Sequence, residues 1–96
     1  MSKITFIARM TVREDREREF VELCHELKAY VSKNEPGVLY YEFFRLREPH
    51  RFAVMESFRD EASEHEHMSS VKLAEIAPKI GACLDGGWVR EYFDPL

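Results

Sequence analysis

The sequence predicts an α+β fold of the ferredoxin-like βαββαβ type, in which two helices cover one face of a four-stranded antiparallel sheet. Three observations lead to this prediction. Alternating apolar residues mark a strand near each end of the chain, an aromatic and β-branched stretch in the middle is typical of a β-hairpin, and two longer segments have helical periodicity. The 96 residues are expected to form a single domain, 1–96, with one modest core.

The first strand and the first helix are predicted from their apolar spacing. The strand spans 3–12, where the even positions are apolar. The helix spans 13–33 and carries one apolar stripe at spacings of three and four: Phe20, Leu23, Cys24, Leu27, Tyr30 and Val31. Thr11 and Glu14 have the spacing of a capping box, and Asp15 is an alternative N-cap, so the helix start is open by one turn.

The segment 34–60 is predicted to be a hairpin with strands at 38–47 and 51–59, separated by the polar break 48–50. A loop of that length pairs position i with about 98 − i, which puts Glu42 near Glu56 on one face of the sheet. The same face is then predicted to carry four aromatic residues: Tyr40, Phe44, Phe52 and Phe58.

A second helical region is predicted over 60–84, with Asp60 as N-cap and Pro78 as the point where the helix ends or kinks. Its apolar anchors are expected to be Met68, Val71, Ile76 and Ile80. The glycine pair 86–87 predicts a turn, and 88–93 predicts the last strand.

Large apolar residues occur at both odd and even positions of the hairpin, so both faces of the sheet are expected to be covered. Two helices can cover only one face. The other face is expected to pack against a second copy of the same sheet, which predicts a two-fold homodimer.

The composition argues against several classes of protein. The net charge of −4, without a basic patch, argues against nucleic-acid binding, and no apolar run approaches the length of a membrane span. The first residues do not resemble a signal peptide. Cys24 and Cys83 lack metal-ligand spacing, so we expect buried, reduced thiols in a cytoplasmic protein.

Three segments have a recognisable pattern: Glu35-Pro36-Gly37 followed by Tyr40-Tyr41, the predicted strand at 51–60, and the helical segment 62–70. They resemble, in that order, the EPG…Y opening, the "rF…E.w.d" strand and the "A…HxxS" helix of the antibiotic biosynthesis monooxygenase (ABM) family. The resemblance implies a dimeric α+β barrel. It also implies one of several activities: cofactor-independent oxygenation of aromatic polyketides or quinols, haem degradation, or isomerisation of a phosphorylated signal.

The haem-degrading branch is not expected. It places an Asn in the first strand, and a Trp and a haem-ligating His in the second helical region. Here the first strand lacks Asn, and the one Trp, Trp88, lies in the last strand. The polyketide oxygenases use a mid-chain Trp and Asn that this sequence does not match. The resemblance therefore carries over best to Glu56 and His67, which stand at the family's Glu and His positions.

His67 is the first candidate for a catalytic residue. Ser63, His67, Ser70 and Ala74 lie at helical spacing on one side of the predicted helix, which suits a pocket wall, and an imidazole titrates near neutrality. The alternative is a structural histidine bonded to a carboxylate such as Glu56. A metal site is not expected, because the adjacent residues 65–67 point about 100° apart on a helix.

The two hairpin carboxylates are the second candidates. One of Glu42 and Glu56 is expected to act as a base with a raised pKa, or to orient His67; the alternative is that arginines neutralise both. We therefore predict His67 and Glu56 as catalytic residues. Residues predicted to bind substrate are Tyr40, Glu42, Phe44, Phe52, Ser63 and Ser70, with the aromatic ones holding a flat ring or forming core and interface.

The predicted function is that of a cofactor-free monooxygenase, which uses O₂ to oxidise a small quinol-like or polyphenolic compound. The same acid–base pair would also serve an isomerase or lyase of a small carbonyl compound. A third possibility is a non-catalytic dimer that binds a small hydrophobic molecule.

Overall fold

The computed structural model describes residues 3–96. The prediction that the first residues are not a signal peptide includes Met1 and Ser2, which lie outside the described residues. The elements are β1 (Ile4–Val12), α1 (Glu17–Asn34), β2 (Val38–Arg45), β3 (Arg51–Phe58), α2 (Glu61–Met68), α3 (Val71–Ala82) and β4 (Leu84–Phe93). The sheet has the order β2-β3-β1-β4 and is antiparallel throughout. The predicted ferredoxin-like fold is therefore confirmed. None of the helices within residues 3–96 is long and apolar enough to cross a membrane.

The core lies between the sheet and the helices. The even positions of β1 from Phe6 to Val12 are buried, as their alternation predicts. They face the predicted stripe of α1, whose buried members are Phe20, Cys24, Leu27 and Val31. Cys24 and Cys83 are both free and buried, and desolvation raises the pKa of the Cys24 thiol to about 12. Such thiols are unreactive at neutral pH.

The first helix begins differently from the prediction. A short 3₁₀ turn, Glu14–Arg16, precedes α1, and no side chain caps either segment, so neither Thr11 nor Asp15 acts as an N-cap. Thr11 instead lies in β1. Acidic residues in the first turn of α1 provide the favourable interaction with the helix dipole.

The second helical region is two helices and not one. Asp60 caps α2 as predicted, accepting a hydrogen bond from the Ser63 backbone N–H at 2.8 Å. The break falls after Met68, where the Ser70 hydroxyl accepts from the Leu73 N–H at 3.1 Å and starts α3. The helix does not end at Pro78, because Pro78 lies on an exposed side of α3, where water can satisfy the carbonyl that its missing N–H leaves free. Val71 is 84% exposed and is not the predicted anchor.

The glycine pair at 86–87 lies within β4 and does not form a turn. The register between β1 and β4 shifts between Met10 and Val12, and Gly86 has a φ of 93°, so the pair forms an irregularity inside a longer strand. Trp88 lies opposite Met10 and Arg90 opposite Ala8, which puts both on the helix-covered face.

The hairpin register differs from the prediction by one residue. Tyr41 lies opposite Glu56 and Glu42 opposite Met55, because the loop between the paired strands occupies 46–50 and is longer than the predicted break. Side chains alternate along a strand, so a shift of one residue moves a side chain to the other face. The prediction that Glu42 and Glu56 share a face is therefore wrong. Tyr40 and Phe44 lie with Glu42, away from Glu56.

The face of the sheet away from the helices is apolar and uncovered within this chain; we call it the open face. Its exposed members are Tyr40, Phe44, Val89 and Phe93, at 40–66% exposure, and the ion pair between Arg9 and Glu91 also lies there. The open face matches the second apolar face that the sequence predicts. The homodimer itself stays a prediction.

Candidate active site

Glu56 is a buried carboxyl group in the middle of β3, on the helix-covered face. It is 5% exposed, and its Oε1 has no hydrogen-bond partner among residues 3–96. Burial raises its pKa to about 8; Arg90 opposes this rise, and the carboxylates of Glu64 and Glu35 add to it. The Glu56 carboxyl is therefore protonated at neutral pH.

His67 lies in the last turn of α2 and is 1% exposed. Its Nε2 is 3.5 Å from Glu56 Oε1, so the structure brings together the two residues predicted to be catalytic. The Tyr41 and Phe58 rings pack against the imidazole, with centroid separations of 5.2 and 5.5 Å. The two aromatic rings shield the imidazole of His67 from water and restrict its rotation.

The second nitrogen of His67 has a partner that the sequence analysis missed. Glu35, in the turn after α1, has Oε1 at 2.7 Å from His67 Nδ1, and its side chain is 13% exposed. A neutral imidazole that donates from Nδ1 to this carboxylate keeps Nε2 as an acceptor. The Glu35 contact therefore presents the basic nitrogen of His67 towards Glu56.

The turn that carries Glu35 is packed tightly against α2. A Cβ atom at Gly37 would lie 2.2 Å from Ser63 Oγ, so only glycine allows this approach. The Gly37 carbonyl also accepts a hydrogen bond from the Arg59 N–H at 2.8 Å. Ser63 is one helical turn before His67, and this contact therefore brings the turn and Glu35 to the imidazole.

A cavity of about 130 Å³ lies beside this cluster, between the sheet and the helices. Its polar lining groups are Glu56, His67 and Arg90. The rest of its lining comes from apolar and aromatic side chains of the sheet, α1, α3 and the end of α2: Ala8, Met10, Leu27, Tyr41, Phe43, Val54, Met68, Leu73, Ala77, Ile80 and Trp88. Such a site, apolar with a few converging polar groups, is typical of small-molecule pockets.

Most of the residues predicted to bind substrate lie elsewhere. Tyr40 and Phe44 are on the open face, and Glu42 pairs with Lys28 at 3.0 Å at the edge of the sheet. Phe52 packs on Phe20, with ring centroids 4.9 Å apart, and does not line the cavity.

The two predicted serines have structural contacts. Ser63 is buried against Gly37, and Ser70 caps α3, so the predicted row of small residues on one continuous helix does not exist. The lining residue Tyr41 was not predicted as a site residue, because the assumed register placed the odd positions of β2 on the wrong face. Arg90, which lines the cavity from β4, was not predicted as a site residue either.

The family model of antibiotic biosynthesis monooxygenases matches residues 3–79. This chain belongs to that family. The ABM motifs noted in the sequence therefore have a structural meaning here: the EPG turn provides Glu35 and Gly37, and these contact His67 and Ser63 of the HxxS helix. Within residues 3–96 no group of three His, Cys, Asp or Glu side chains is arranged to hold a metal ion.

Several solved structures have the same fold. A candidate antibiotic biosynthesis monooxygenase from Caulobacter crescentus is 25% identical, with a TM-score of 0.93 over 98% of this chain and 90% of its own. A conserved protein from Methanosarcina mazei is 28% identical, with a TM-score of 0.88 over 97% and 92%. A Mycobacterium tuberculosis protein, 20% identical, has a TM-score of 0.89 over 99% and 96%. The comparison with curated proteins found no match.

Proposed function

We propose that this ABM-family protein is a cofactor-independent monooxygenase that oxidises a small quinol-like or polyphenolic compound with O₂. The observation that carries the proposal is the buried cluster of Glu35, His67 and Glu56 at the polar end of an apolar cavity. A substrate in this cavity meets both a proton acceptor and a proton donor among largely apolar side chains. Membership of the family supports oxygenase chemistry in general.

The first step is removal of a phenolic proton. His67 Nε2 accepts it, and the resulting imidazolium is stabilised by the Glu35 carboxylate at Nδ1. Glu56 is protonated at neutral pH, so it donates a hydrogen bond to an oxygen of the substrate or of the reduced dioxygen. Proton transfer to His67 therefore raises the electron density of the substrate ring. Because Glu56 is protonated, it places no second negative charge beside the deprotonated ring.

The deprotonated ring then passes one electron to O₂, and the two radicals combine to form a C–O bond and a peroxide. The imidazolium returns its proton to the outer peroxide oxygen. The O–O bond breaks as the ring carbon loses its hydrogen as a proton, so one oxygen atom stays as a carbonyl and the other leaves as water. A dihydroxybenzene and O₂ thus give a hydroxyquinone and water, with all atoms accounted for.

We propose further that the protein acts as a homodimer that buries the open face. Large apolar side chains are exposed on both edge strands of that face, Tyr40 and Phe44 on β2 and Val89 and Phe93 on β4, and exposed apolar groups of this kind are typical of an interface. Two-fold packing of the open faces, sheet against sheet, buries these side chains in both copies.

Oxygen uptake with a panel of quinols tests the proposed activity. The expected result is substrate-dependent O₂ consumption that His67→Gln abolishes while the variant stays folded. Turnover of a carbonyl compound without O₂ consumption would instead support an isomerase or lyase. Binding without turnover of any substrate would support a non-catalytic binding protein.

A further inference from the structure

We infer that the cavity selects a single aromatic ring bearing a free phenolic hydroxyl, and excludes fused two-ring and three-ring compounds from its enclosed part. The inference rests on the proposed function for its relevance to catalysis, but it concerns binding. It narrows the substrate from aromatic compounds in general to monocyclic phenols and hydroquinones.

The volume of the cavity is the first argument. An apolar protein cavity of about 150 Å³ holds one benzene molecule. The cavity beside His67 has about 130 Å³, which is enough for one six-membered ring and too little for two fused rings. A naphthalene or anthracene framework would therefore have to leave part of its apolar surface outside.

The walls formed by the main core are the second argument, because they cannot easily move apart. Leu27 on α1, Val54 on β3 and Ile80 on α3 line the cavity and are 2–6% exposed, so each is also held by the main core. Interiors of this kind are close-packed, and inserting extra carbon atoms typically costs about 1–3 kcal/mol. Enlargement by repacking is therefore unfavourable.

The polar end of the cavity provides the third argument. Glu56 is protonated at neutral pH, and its Oε1 lacks a hydrogen-bond partner among the described residues, while His67 presents an acceptor nitrogen 3.5 Å from it. A phenolic hydroxyl is both donor and acceptor, so it can donate to Nε2 and accept from the Glu56 carboxyl. An aryl methyl ether has the same ring but cannot donate.

Anaerobic binding measured by calorimetry tests this inference without requiring turnover. Hydroquinone is expected to bind at least about 10-fold more tightly than naphthohydroquinone or anthrahydroquinone, although the larger rings offer more apolar surface. Phenol is expected to bind more tightly than methoxybenzene, because only phenol satisfies both polar groups.

Two substitutions on α3 make the test specific to the cavity. Ala77 lines the cavity, so Ala77→Leu should fill it and abolish hydroquinone binding, whereas Ala74→Leu, at an exposed position of the same helix, should not. Leu73→Ala should enlarge the cavity and improve binding of naphthohydroquinone. Circular dichroism would check that each variant is folded.

Each outcome decides one question. Equal or tighter binding of the fused rings by the wild-type protein would overturn the inference, as would hydroquinone binding that is undetectable or that Ala77→Leu leaves intact. Single-ring selectivity without O₂ consumption by any bound compound would leave this inference standing and contradict the proposed oxygenase activity instead.

Discussion

Glu35 Oε1 and His67 Nδ1 lie 2.7 Å apart, although 32 residues separate them in the sequence. The contact joins the turn after α1 to the last turn of α2. It is nearly closed to solvent, since the two side chains are 13% and 2% exposed. A charge-assisted hydrogen bond in such surroundings is stronger than one at the surface, so it fixes both the orientation and the tautomer of the imidazole.

Replacing Glu35 by Gln should impair catalysis more than folding. The amide oxygen can still accept from Nδ1, so the ring keeps its orientation, but the imidazolium formed during turnover loses its counter-charge. We expect a fall of roughly 100-fold in kcat with a smaller change in KM, in the range found for proton-transfer groups. Steady-state kinetics as a function of pH measures this effect.

The control for that variant is Glu66→Gln, an exposed carboxylate on α2 next to His67 in sequence. It should leave the kinetics unchanged. Equal kcat values for Glu35→Gln and wild type would mean that the Glu35 contact has only a structural role.

Glu56 should make the free energy of unfolding depend on pH. Its pKa is about 8 in the fold and near 4.5 when unfolded, so the unfolded chain releases this proton first as the pH rises. The stability contributed by the protonated group is complete below about pH 4.5 and is lost progressively towards pH 8, by an amount on the order of a few kcal/mol.

Glu56→Gln should remove this pH dependence, because the amide is neutral throughout. Thermal unfolding between about pH 5 and pH 8 measures it, and the variant should gain stability relative to wild type as the pH rises. Glu42→Gln is a matched control. Glu42 lies on the same hairpin as Glu56, but its carboxylate is half-exposed and pairs with Lys28 of α1. Parallel curves for Glu56→Gln and wild type would rule out a buried, protonated Glu56.

Gly37→Ala should destabilise the protein by about 1–3 kcal/mol, because the new methyl group would overlap with Ser63. The Ser63→Gly change opens that space, at a cost of about 1 kcal/mol for glycine in a helix. The two changes together should cost less than the sum of their separate effects. Urea unfolding of the four proteins in a double-mutant cycle measures this coupling.

Gly81→Ala is the control for the Gly37 substitution. Gly81 lies in α3, and a Cβ atom added there would meet no atom within 4 Å. The substitution should therefore stabilise the protein by a few tenths to about 1 kcal/mol. Strictly additive effects of Gly37→Ala and Ser63→Gly would show that the turn does not depend on this approach.

The open face should be the dimer interface, and sedimentation equilibrium at micromolar concentration should find two copies per particle. Val89→Glu places a charge on the open face, at the edge strand β4, and should shift the particle towards a single chain. Val71→Glu is the matched control, because Val71 is also exposed, at 84%, but lies on α3 away from the open face. A monomeric wild-type protein would refute the proposed assembly.

The elements were predictable where one local pattern determines them. Alternation in β1 and the apolar stripe of α1 report directly which side of each element is buried. The position of the break in the second helical region was not predictable from Pro78, because proline is tolerated on an exposed helix face, whereas the cap at Ser70 competes effectively with helix continuation.

The site was predictable only in part, because its contacts join distant segments. His67 and Glu56 stand at family positions, and a contact between them was already one of the two roles expected for His67. The hairpin register depended on the length of one loop, and an error of one residue placed Glu42 beside Glu56 in the expected site instead of Tyr41. Glu35 was predicted only as part of a turn. Its place in the EPG motif of the family was the signal that could have marked it as a site residue.

The most direct test of the oxygenase account is turnover of hydroquinone under ¹⁸O₂ by the wild-type protein and by His67→Gln. His67→Gln keeps a donor for Glu35 but lacks the basic nitrogen, so it should stay folded and lose activity by at least about 100-fold. The account predicts one labelled oxygen atom in the organic product, one in water, and one O₂ consumed per product. Product without label, or full activity in the folded variant, would contradict it.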